Sequence, residues 1–284
     1  MVVRFLAILS MVRWYNILAL TVAMLLFSVF VLNDATEWIR VVADWKLFWL
    51  ITGFALIIMS GYIINAFYDV EKDLVNNAKA TVFGRHVSRV MSFRIYFAFN
   101  MLGVLMGALV DWKLMLFQSV FIFMLWFYSH KLRKMPVIGE ISASLLLLVP
   151  FGCLAAYYNG FSYHVLLYLG FIFTIDFTRE IVKKLEALRG DIVYSYGSIA
   201  TLLGETRTKW VVVLIMSITL SLMYFLHPIV EQNTIAMAFL FVVGVCILVA
   251  LGLLLRSNLP KEYARVHFIY KTIIVLTIAC IVFL

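Results

Sequence analysis

Charged residues are scarce in this sequence. Asp, Glu, Lys and Arg make up 13% of the 284 residues, whereas a soluble domain has roughly 25%. Hydrophobic residues make up 65%, and the mean hydropathy is +1.04. So little charge excludes a soluble globular domain. It predicts an integral membrane protein, with residues 1–284 forming a single transmembrane domain.

Cysteine is also rare. The three cysteines, Cys153, Cys246 and Cys280, all lie within apolar runs. Their spacing fits neither a zinc site nor a redox pair, and small buried hydrophobic side chains account for them. The sequence therefore offers no disulfide framework and no cysteine-based chemistry.

Long apolar runs fill most of the chain. Each run is close to the ~20 residues that a helix needs to cross a bilayer. The pattern predicts an all-α integral membrane fold with nine transmembrane helices, preceded by an interfacial helix at residues 1–12. The predicted spans are 14–32, 46–66, 93–110, 113–129, 137–157, 162–178, 209–227, 234–255 and 266–284.

Basic residues are distributed unevenly between the predicted loops. On the side of the N-terminus lie 19 Lys and Arg residues, and on the other side only Arg40, Lys46 and Lys113. Cytoplasmic loops are enriched in Lys and Arg, so we expect a cytoplasmic N-terminus and a C-terminus on the opposite side of the cell membrane. The asymmetry also explains the net charge of +8 without a nucleic-acid partner, and we find no nucleic-acid-binding motif.

Polar residues at the end of the second predicted span form a candidate metal site. Asn65, Asp69 and Asp73 are spaced four residues apart, which places them on one face of a helix. Carboxylate and amide oxygens suit Mg²⁺, which often bridges to the phosphates of a substrate. The alternative is a helix end that turns polar as it leaves the bilayer. Ionisable groups next to hydrocarbon are costly and usually functional, which favours the metal site.

Two predicted loops on the N-terminal side, 67–92 and 179–208, are longer than the others and carry acidic residues. Long structured loops are usually functional, so we expect the two to meet over a central cavity that opens to the cytoplasm. Arg85, Arg133 and Lys134 are candidate contacts for a diphosphate, because Arg and Lys bind phosphate oxygens. The general enrichment of basic residues in cytoplasmic loops is the alternative explanation for them.

Several segments resemble the motifs of one family. The Asn-x-x-x-Asp-x-x-x-Asp motif at 65–73, together with nine spans, resembles the UbiA superfamily of intramembrane prenyltransferases. Residues 13–16 (Arg-Trp-Tyr-Asn) are similar to the family's Arg-Pro-x-Asn. Residues 128–139 are similar to its Tyr-Ser…Leu-Lys-Arg…Gly segment, with Glu140 where Asn usually follows. The second acidic loop looks like that of the branch that includes digeranylgeranylglyceryl phosphate synthases.

The resemblance implies a site as well as a fold. It implies that the chain binds an allylic prenyl diphosphate with Mg²⁺, and a lipid or aromatic acceptor, within the membrane lipid. No single catalytic residue is assigned. The implied metal ligands are Asp69, Asp73, Glu186 and Asp191. The substrate contacts expected from the resemblance and from the basic residues are Asn16, Asn65, Arg85, Tyr128, Arg133, Lys134, Lys183 and Lys184.

The second acidic loop departs from the family pattern. The branch has Lys-Asp-x-Glu-Asp-x-Glu-Gly-Asp, whereas residues 183–191 read Lys-Lys-Leu-Glu-Ala-Leu-Arg-Gly-Asp. Lys184, Ala187 and Arg189 thus stand where the family has acids. Fewer negative charges predict fewer bound Mg²⁺ ions. Either Lys184 or Arg189 contacts the diphosphate directly in place of one ion, or the motif has lost its function.

Three functions fit this sequence. The first, which we predict, is prenyl transfer, with Mg²⁺-dependent ionisation of the donor to a carbocation in a water-poor cavity. The second is a terpene cyclase on the same scaffold, in which the prenyl chain traps its own cation. The third is a non-catalytic lipid-binding homologue or a transporter. A transporter would carry ionisable residues at mid-membrane, whereas here the acids cluster near the ends of spans.

Overall fold

All regular structure in the described part of the chain is helical. The computed structural model describes residues 2–33, 35–77, 87–231 and 233–283, and leaves out the side chains of residues 2–5, 71–77 and 229. Within these ranges there are twelve α-helices, three short 3₁₀ helices and no β-strand. The α-helices are α1 (Val2–Met11), α2 (Trp14–Phe30), α3 (Trp38–Val42), α4 (Trp45–Asn77), α5 (Arg89–Val110), α6 (Trp112–His130), α7 (Ile138–Tyr157), α8 (Tyr163–Glu186), α9 (Leu188–Val193), α10 (Ile199–Val230), α11 (Thr234–Arg256) and α12 (Pro260–Cys280).

Seven of the described helices are long and apolar enough to cross a membrane, namely α4, α5, α6, α7, α10, α11 and α12. Helix α2 and the segment Ala35–Val42 would form an eighth span as a bent pair. Helix α8 is not among them, because its last three turns, residues 176–186, carry six charged side chains. The predicted multi-pass, all-α membrane fold is therefore confirmed, while the count of nine spans stays a prediction.

Two helices run well past their predicted ends. The second predicted span, 46–66, is part of α4, which continues to Asn77, and the span 162–178 belongs to α8, which continues to Glu186. Helix α10 begins at Ile199, where a loop to residue 208 was expected. Much of the predicted loops 67–92 and 179–208 is therefore helix, and the expectation of two long loops is wrong for the described residues.

Local side-chain bonds explain why the charged stretch 179–208 is helical. In α8, Arg179 and Lys183 each pair with a carboxylate three residues earlier, which stabilises successive helical turns. Helix α10 starts with a capping box between Ser198 and Thr201, which satisfies backbone groups that a helix start leaves unpaired. Gly204 then interrupts α10 with a φ of 76°, a conformation that glycine adopts without strain.

The chain forms two compact units. The first unit contains Met1–Leu25 and Ile39–Leu132, and in it α4 packs against α5, α6 and α1. Helices α4 and α5 approach closely, because a Cβ atom at Gly103 would lie 2.6 Å from Ile57 Cγ1 and 3.0 Å from the Gly53 oxygen. Small residues permit such close contacts between membrane helices. This packing fixes α4, the helix that carries the first acidic motif.

The second unit contains Leu26–Trp38 and Arg133–Leu284. Here α8 packs against α7, α10 and α12, and α11 packs against α10 and α12. Ile181, Val182 and Leu185 of α8 are buried in this core. Their packing fixes the position of α8, and with it the positions of the charged side chains on the same helix. The prediction of a single domain over residues 1–284 stays a prediction.

Candidate functional site

The first acidic motif lies on one face of α4. Asn65, Asp69 and Asp73 all fall within this helix, as their spacing predicts. Asp69 is buried, with 3% of its surface exposed, and Asn65 is half-buried; the side chain of Asp73 lies outside the described residues. A buried carboxylate is costly unless it is paired or coordinates a metal, so a cation or strong donors are expected at this position.

Tyr62 extends the same face of α4. It precedes Asp69 by seven residues, which is about two helical turns. Asn16 Nδ2 donates a long hydrogen bond of 3.4 Å to Tyr62 Oη, and the Arg13 guanidinium lies 5.3 Å from the centre of the Tyr62 ring, within cation–π range. The Arg-Trp-Tyr-Asn segment is thus held against the face that carries the motif. Tyr62 is not among the predicted site residues, although its spacing from Asn65 would have identified it.

Aromatic side chains of α6 lie beside the motif in the first unit. The ring centres of Tyr68 and His130 are 5.4 Å apart, and His130 stacks on Trp126 with centres 5.3 Å apart and planes at 4°. Tyr128, a predicted substrate contact, is buried on α6, which packs against α4. The structure therefore places Tyr128 on a neighbouring helix of the motif within one compact unit.

The predicted basic contacts fall in different parts of the chain. Arg85 lies outside the described residues. Arg133 is half-buried and Lys134 is exposed, and Lys134 Nζ lies 5.3 Å from the centre of the Tyr196 ring. The Lys134 carbonyl accepts a 2.9 Å hydrogen bond from the Gly197 N–H. A Cβ at Gly197 would lie 2.6 Å from that oxygen, so this contact between the basic turn and the segment after α9 requires glycine.

Partly buried ion pairs line the end of α8. Arg179 donates to Asp176 at 2.8 Å and to Glu180 at 2.6 Å, and Lys183 Nζ donates to both Glu180 oxygens at 3.0 and 3.1 Å. Burial would raise the pKa of Glu180, which lies beyond the predicted span 162–178, but Lys183 and Arg179 outweigh burial and hold that pKa well below its usual range. Glu180 is therefore ionised, and its charge is neutralised within α8.

The two acids that the second motif retains also face basic groups. Glu186 Oε2 lies 2.8 Å from His267 Nδ1 of α12. Asp191 of α9 is fully buried, and its Oδ2 lies 3.8 Å from Lys184 Nζ, whose side chain is only 7% exposed. Arg189, by contrast, is exposed. The Lys184 side chain thus lies inside the protein, next to Asp191.

Glu140 joins this buried group from α7. It is 1% exposed, its Oε1 accepts a 2.8 Å hydrogen bond from the Ile199 N–H, and it interacts electrostatically with Lys184. A carboxylate at the N-terminus of α10 is also favoured by the helix dipole. In the sequence, Glu140 stands out only as a departure from the family motif. The opposite charges of Glu140 and Lys184, both departures, are the signal that would have connected them.

The two acidic motifs differ in how well they fit Mg²⁺. Among the side chains that the structure describes, no three His, Cys, Asp or Glu residues form a metal cluster. The first motif offers carboxylates at Asp69 and Asp73 and an amide at Asn65 on one helical face, and such oxygen donors fit a hard cation. The second does not fit as arranged, because basic groups already contact Asp191 and Glu186.

Comparison with known proteins gives one family. The family model described as the UbiA prenyltransferase family matches residues 25–272. A digeranylgeranylglyceryl phosphate synthase of Korarchaeum cryptofilum is 28% identical over 169 residues, which are 59% of this chain and 59% of that relative. The alignment thus spans less than two thirds of that relative's length.

Solved structures share the fold at low sequence identity. An apo UbiA homologue from Aeropyrum pernix K1 has a TM-score of 0.73 at 17% identity, covering 94% of this chain and 97% of that one. A UbiA homologue from Archaeoglobus fulgidus, bound to GPP and Mg²⁺, has a TM-score of 0.66 at 15% identity, covering 97% and 99%. At these identities, the likeness shows the fold.

The family match extends over most of the chain and includes the first acidic motif. It confirms the resemblance that the motifs indicated and, at the level of the family, the expected class of enzyme. It also agrees with a multi-pass membrane protein built of helices. The roles of the individual site residues stay predictions. The chain belongs to the UbiA prenyltransferase family.

Proposed function

We propose that this chain is a membrane prenyltransferase that moves a prenyl group from an allylic prenyl diphosphate to a lipid or aromatic acceptor. The observation that carries the proposal is the face of α4 on which buried Asp69 lies between Asn65 and Asp73, with Asn16 bonded to Tyr62 on the same face. Family membership supports the reaction class. A homologue of similar fold is bound to GPP and Mg²⁺.

Asp69 and Asp73 would hold Mg²⁺, with Asn65 as a further oxygen donor. A bound ion there supplies positive charge to the diphosphate and so favours its departure. The bond between C1 of the prenyl chain and the diphosphate oxygen breaks, and its electron pair leaves with the diphosphate. The acceptor then attacks the allylic carbocation at C1 and loses its proton to the released diphosphate or to solvent. The protein contributes by holding the diphosphate and by excluding water from the cation.

Basic side chains would bind the diphosphate oxygens. Arg133 and Lys183 are half-buried and Lys134 is exposed, and Arg and Lys bind phosphate strongly. Lys183 would do so while paired with Glu180. The remaining proposed contacts, which rest on the sequence and the resemblance, are Asn16, Arg85 and Tyr128.

The proposed topology has nine crossings. The seven candidate spans, the bent pair and α8 would together supply them, and the excess of basic residues in alternate loops supports a cytoplasmic N-terminus. The C-terminus would then lie on the opposite side of the cell membrane, and the central cavity would open to the cytoplasm. Alkaline phosphatase fused to the C-terminus should be active, because that enzyme folds only outside the cytoplasm; an inactive fusion would contradict this topology.

The acceptor that we propose to test first is a glycerol-phosphate lipid. The relative from Korarchaeum cryptofilum is named a digeranylgeranylglyceryl phosphate synthase. The expected donor is therefore an allylic diphosphate with a long apolar chain. Quinone precursors and other aromatic acceptors form the second series of the same assay.

The experiment follows pyrophosphate release from geranylgeranyl diphosphate by the purified protein with Mg²⁺, with and without acceptor, and analyses the products by mass spectrometry. We expect release only with an acceptor, and loss of release in Asp69→Asn. Asp44→Asn, at the other end of the same helix, is the matched control and should keep activity, because Asn also serves as a helix cap. A cyclic hydrocarbon or alcohol without acceptor would identify a terpene cyclase. No turnover with any donor or acceptor would favour a non-catalytic lipid-binding homologue.

A further inference from the structure

The segment that holds the second acidic motif is balanced in charge by its own side chains. Residues 176–191 contain four acidic and four basic side chains, and each acid contacts a base within the second unit. The contacts are Asp176 with Arg179, Glu180 with Arg179 and Lys183, Glu186 with His267, and Asp191 with Lys184. Asp176, Glu180 and Asp191 therefore have Arg or Lys countercharges from the chain itself, without any external cation.

The position of Lys184 determines which cation neutralises Asp191. It stands where the family has an acid, and its Nζ lies 3.8 Å from Asp191 Oδ2, with side chains 7% and 0% exposed. A buried carboxylate is very costly without a countercharge, and this ammonium supplies one. An ion such as Mg²⁺ binds carboxylate oxygens at ~2.1 Å. On Asp191, such an ion would lie next to the Lys184 ammonium and be repelled by it.

Glu140 provides a second anionic partner for the same ammonium. It is buried in the first turn of α7, it interacts with Lys184, and its Oε1 is fixed by the Ile199 N–H. The two departures from the family motif are thus opposite in charge and interact with each other. A lysine in place of an acid makes this region more positive, and a glutamate in place of asparagine partly offsets that change.

We infer that the Lys184 ammonium takes the place of a divalent cation at the second acidic motif. Lys184 is then a resident cation, paired with Asp191 at 3.8 Å, and is not a contact of the diphosphate. Its role does not depend on the reaction. The further consequence, that divalent cations bind this chain through the first motif alone, rests on the proposed function.

The test counts Mn²⁺ bound by the detergent-purified chain without substrate, from the electron paramagnetic resonance signal of the free ion. Glu186→Gln should leave the Mn²⁺ count of the wild type unchanged, because this partly exposed acid is not a ligand. The double variant Lys184→Asp with Glu140→Asn restores the family residue types at both positions. It should gain at least one Mn²⁺ per chain.

Either a lower Mn²⁺ count in Glu186→Gln or an unchanged count in the double variant would overturn the inference. Asp69→Asn reports separately on the first motif. If that variant keeps the wild-type count, the proposed metal site on α4 fails, while the role of Lys184 is still judged by the other two variants.

A second measurement applies if the double variant does not fold. In the Asp69→Asn background, Lys184→Met removes the resident ammonium with little change in size. We expect Mn²⁺ to raise the thermal midpoint of this variant and to leave Asp69→Asn alone unshifted. A Mn²⁺-dependent shift in Asp69→Asn alone would contradict the inference, and so would the absence of a shift in the Lys184→Met variant.

Discussion

The two acid-rich segments of this chain differ in charge balance. Residues 69–73 at the end of α4 carry three acids and one lysine, whereas residues 176–191 carry equal numbers of both signs, and the acids there contact bases. The first segment has net negative charge that a bound cation can neutralise. The second already contains its cations as side chains. Acids that already contact Lys or Arg side chains are therefore a weaker indication of a metal.

The largest expected effect is the loss of enzymatic activity when an acid of the first segment is removed. Asp69→Asn should lower pyrophosphate release by about 10³-fold or more, because it removes a ligand of the ion that stabilises the leaving group. Glu186→Gln, the matching change in the second segment, should lower it by less than about threefold, because this partly exposed acid contacts His267 and is not a ligand of the ion. Steady-state release assays on both variants provide the comparison. Equal losses would show that the two segments work alike.

A large effect on stability is expected at the buried pair of the second segment. Lys184→Met should lower the free energy of unfolding by about 3–5 kcal/mol, because it leaves buried carboxylates without their cation. Adding Asp191→Asn should cost less than the sum of the two single changes, since removing both partners removes the uncompensated charge. Thermal or denaturant unfolding in detergent measures both. Strict additivity would mean that the two side chains do not interact.

A smaller loss of stability is expected where the basic turn meets the segment after α9. Gly197→Ala would place a Cβ 2.6 Å from the Lys134 oxygen and from Pro136 Cδ, and such overpacking costs about 1–3 kcal/mol. The control is Gly170→Ala within α8, where nothing lies within 4 Å of the added atom and alanine favours the helix. If both variants unfold at the same midpoint, the contact with Lys134 does not stabilise this turn.

The smallest effect is expected at Tyr62, where a rise in KM would support Asn16 as a substrate contact beside the first segment. Tyr62→Phe removes the acceptor of the Asn16 hydrogen bond but keeps the ring beneath Arg13. A hydrogen bond of this kind contributes about 0.5–1.5 kcal/mol, so KM for the donor should rise about three- to tenfold with little change in kcat. Tyr224→Phe, at a residue 76% exposed, is the control. An unchanged KM would remove Asn16 from the proposed substrate contacts.

Hydropathy alone located most of the helices. Helices α5, α6, α7 and α11 begin and end within a few residues of the predicted spans, because a bilayer-length apolar run leaves little choice. The ends of α4, α8 and α10 were not predictable in this way. Hydropathy marks where the apolar stretch stops, while α8 continues through turns whose charged side chains pair with each other.

The candidate site likewise contains some features that are local in the sequence and others that depend on contacts between distant residues. The α4 face follows from a four-residue spacing, which is a local property of a helix. The contacts of the second segment are not local: Glu140 meets Ile199 across 59 residues, and Glu186 meets His267 across 81. No periodicity shows which helices pack together, so the substitution at Lys184 could be noticed in the sequence, but its pairing with Asp191 could not.

The most direct test of the contrast between the two segments is the anomalous diffraction signal of Mn²⁺ in crystals of the wild-type chain with pyrophosphate. We predict Mn²⁺ peaks within coordination distance, about 2.2 Å, of Asp69 and Asp73, and Lys184 in contact with Asp191. A Mn²⁺ peak at that distance from Asp191 or Glu186 would contradict our interpretation of the second segment. Mn²⁺ bound away from Asp69 and Asp73 would contradict that of the first.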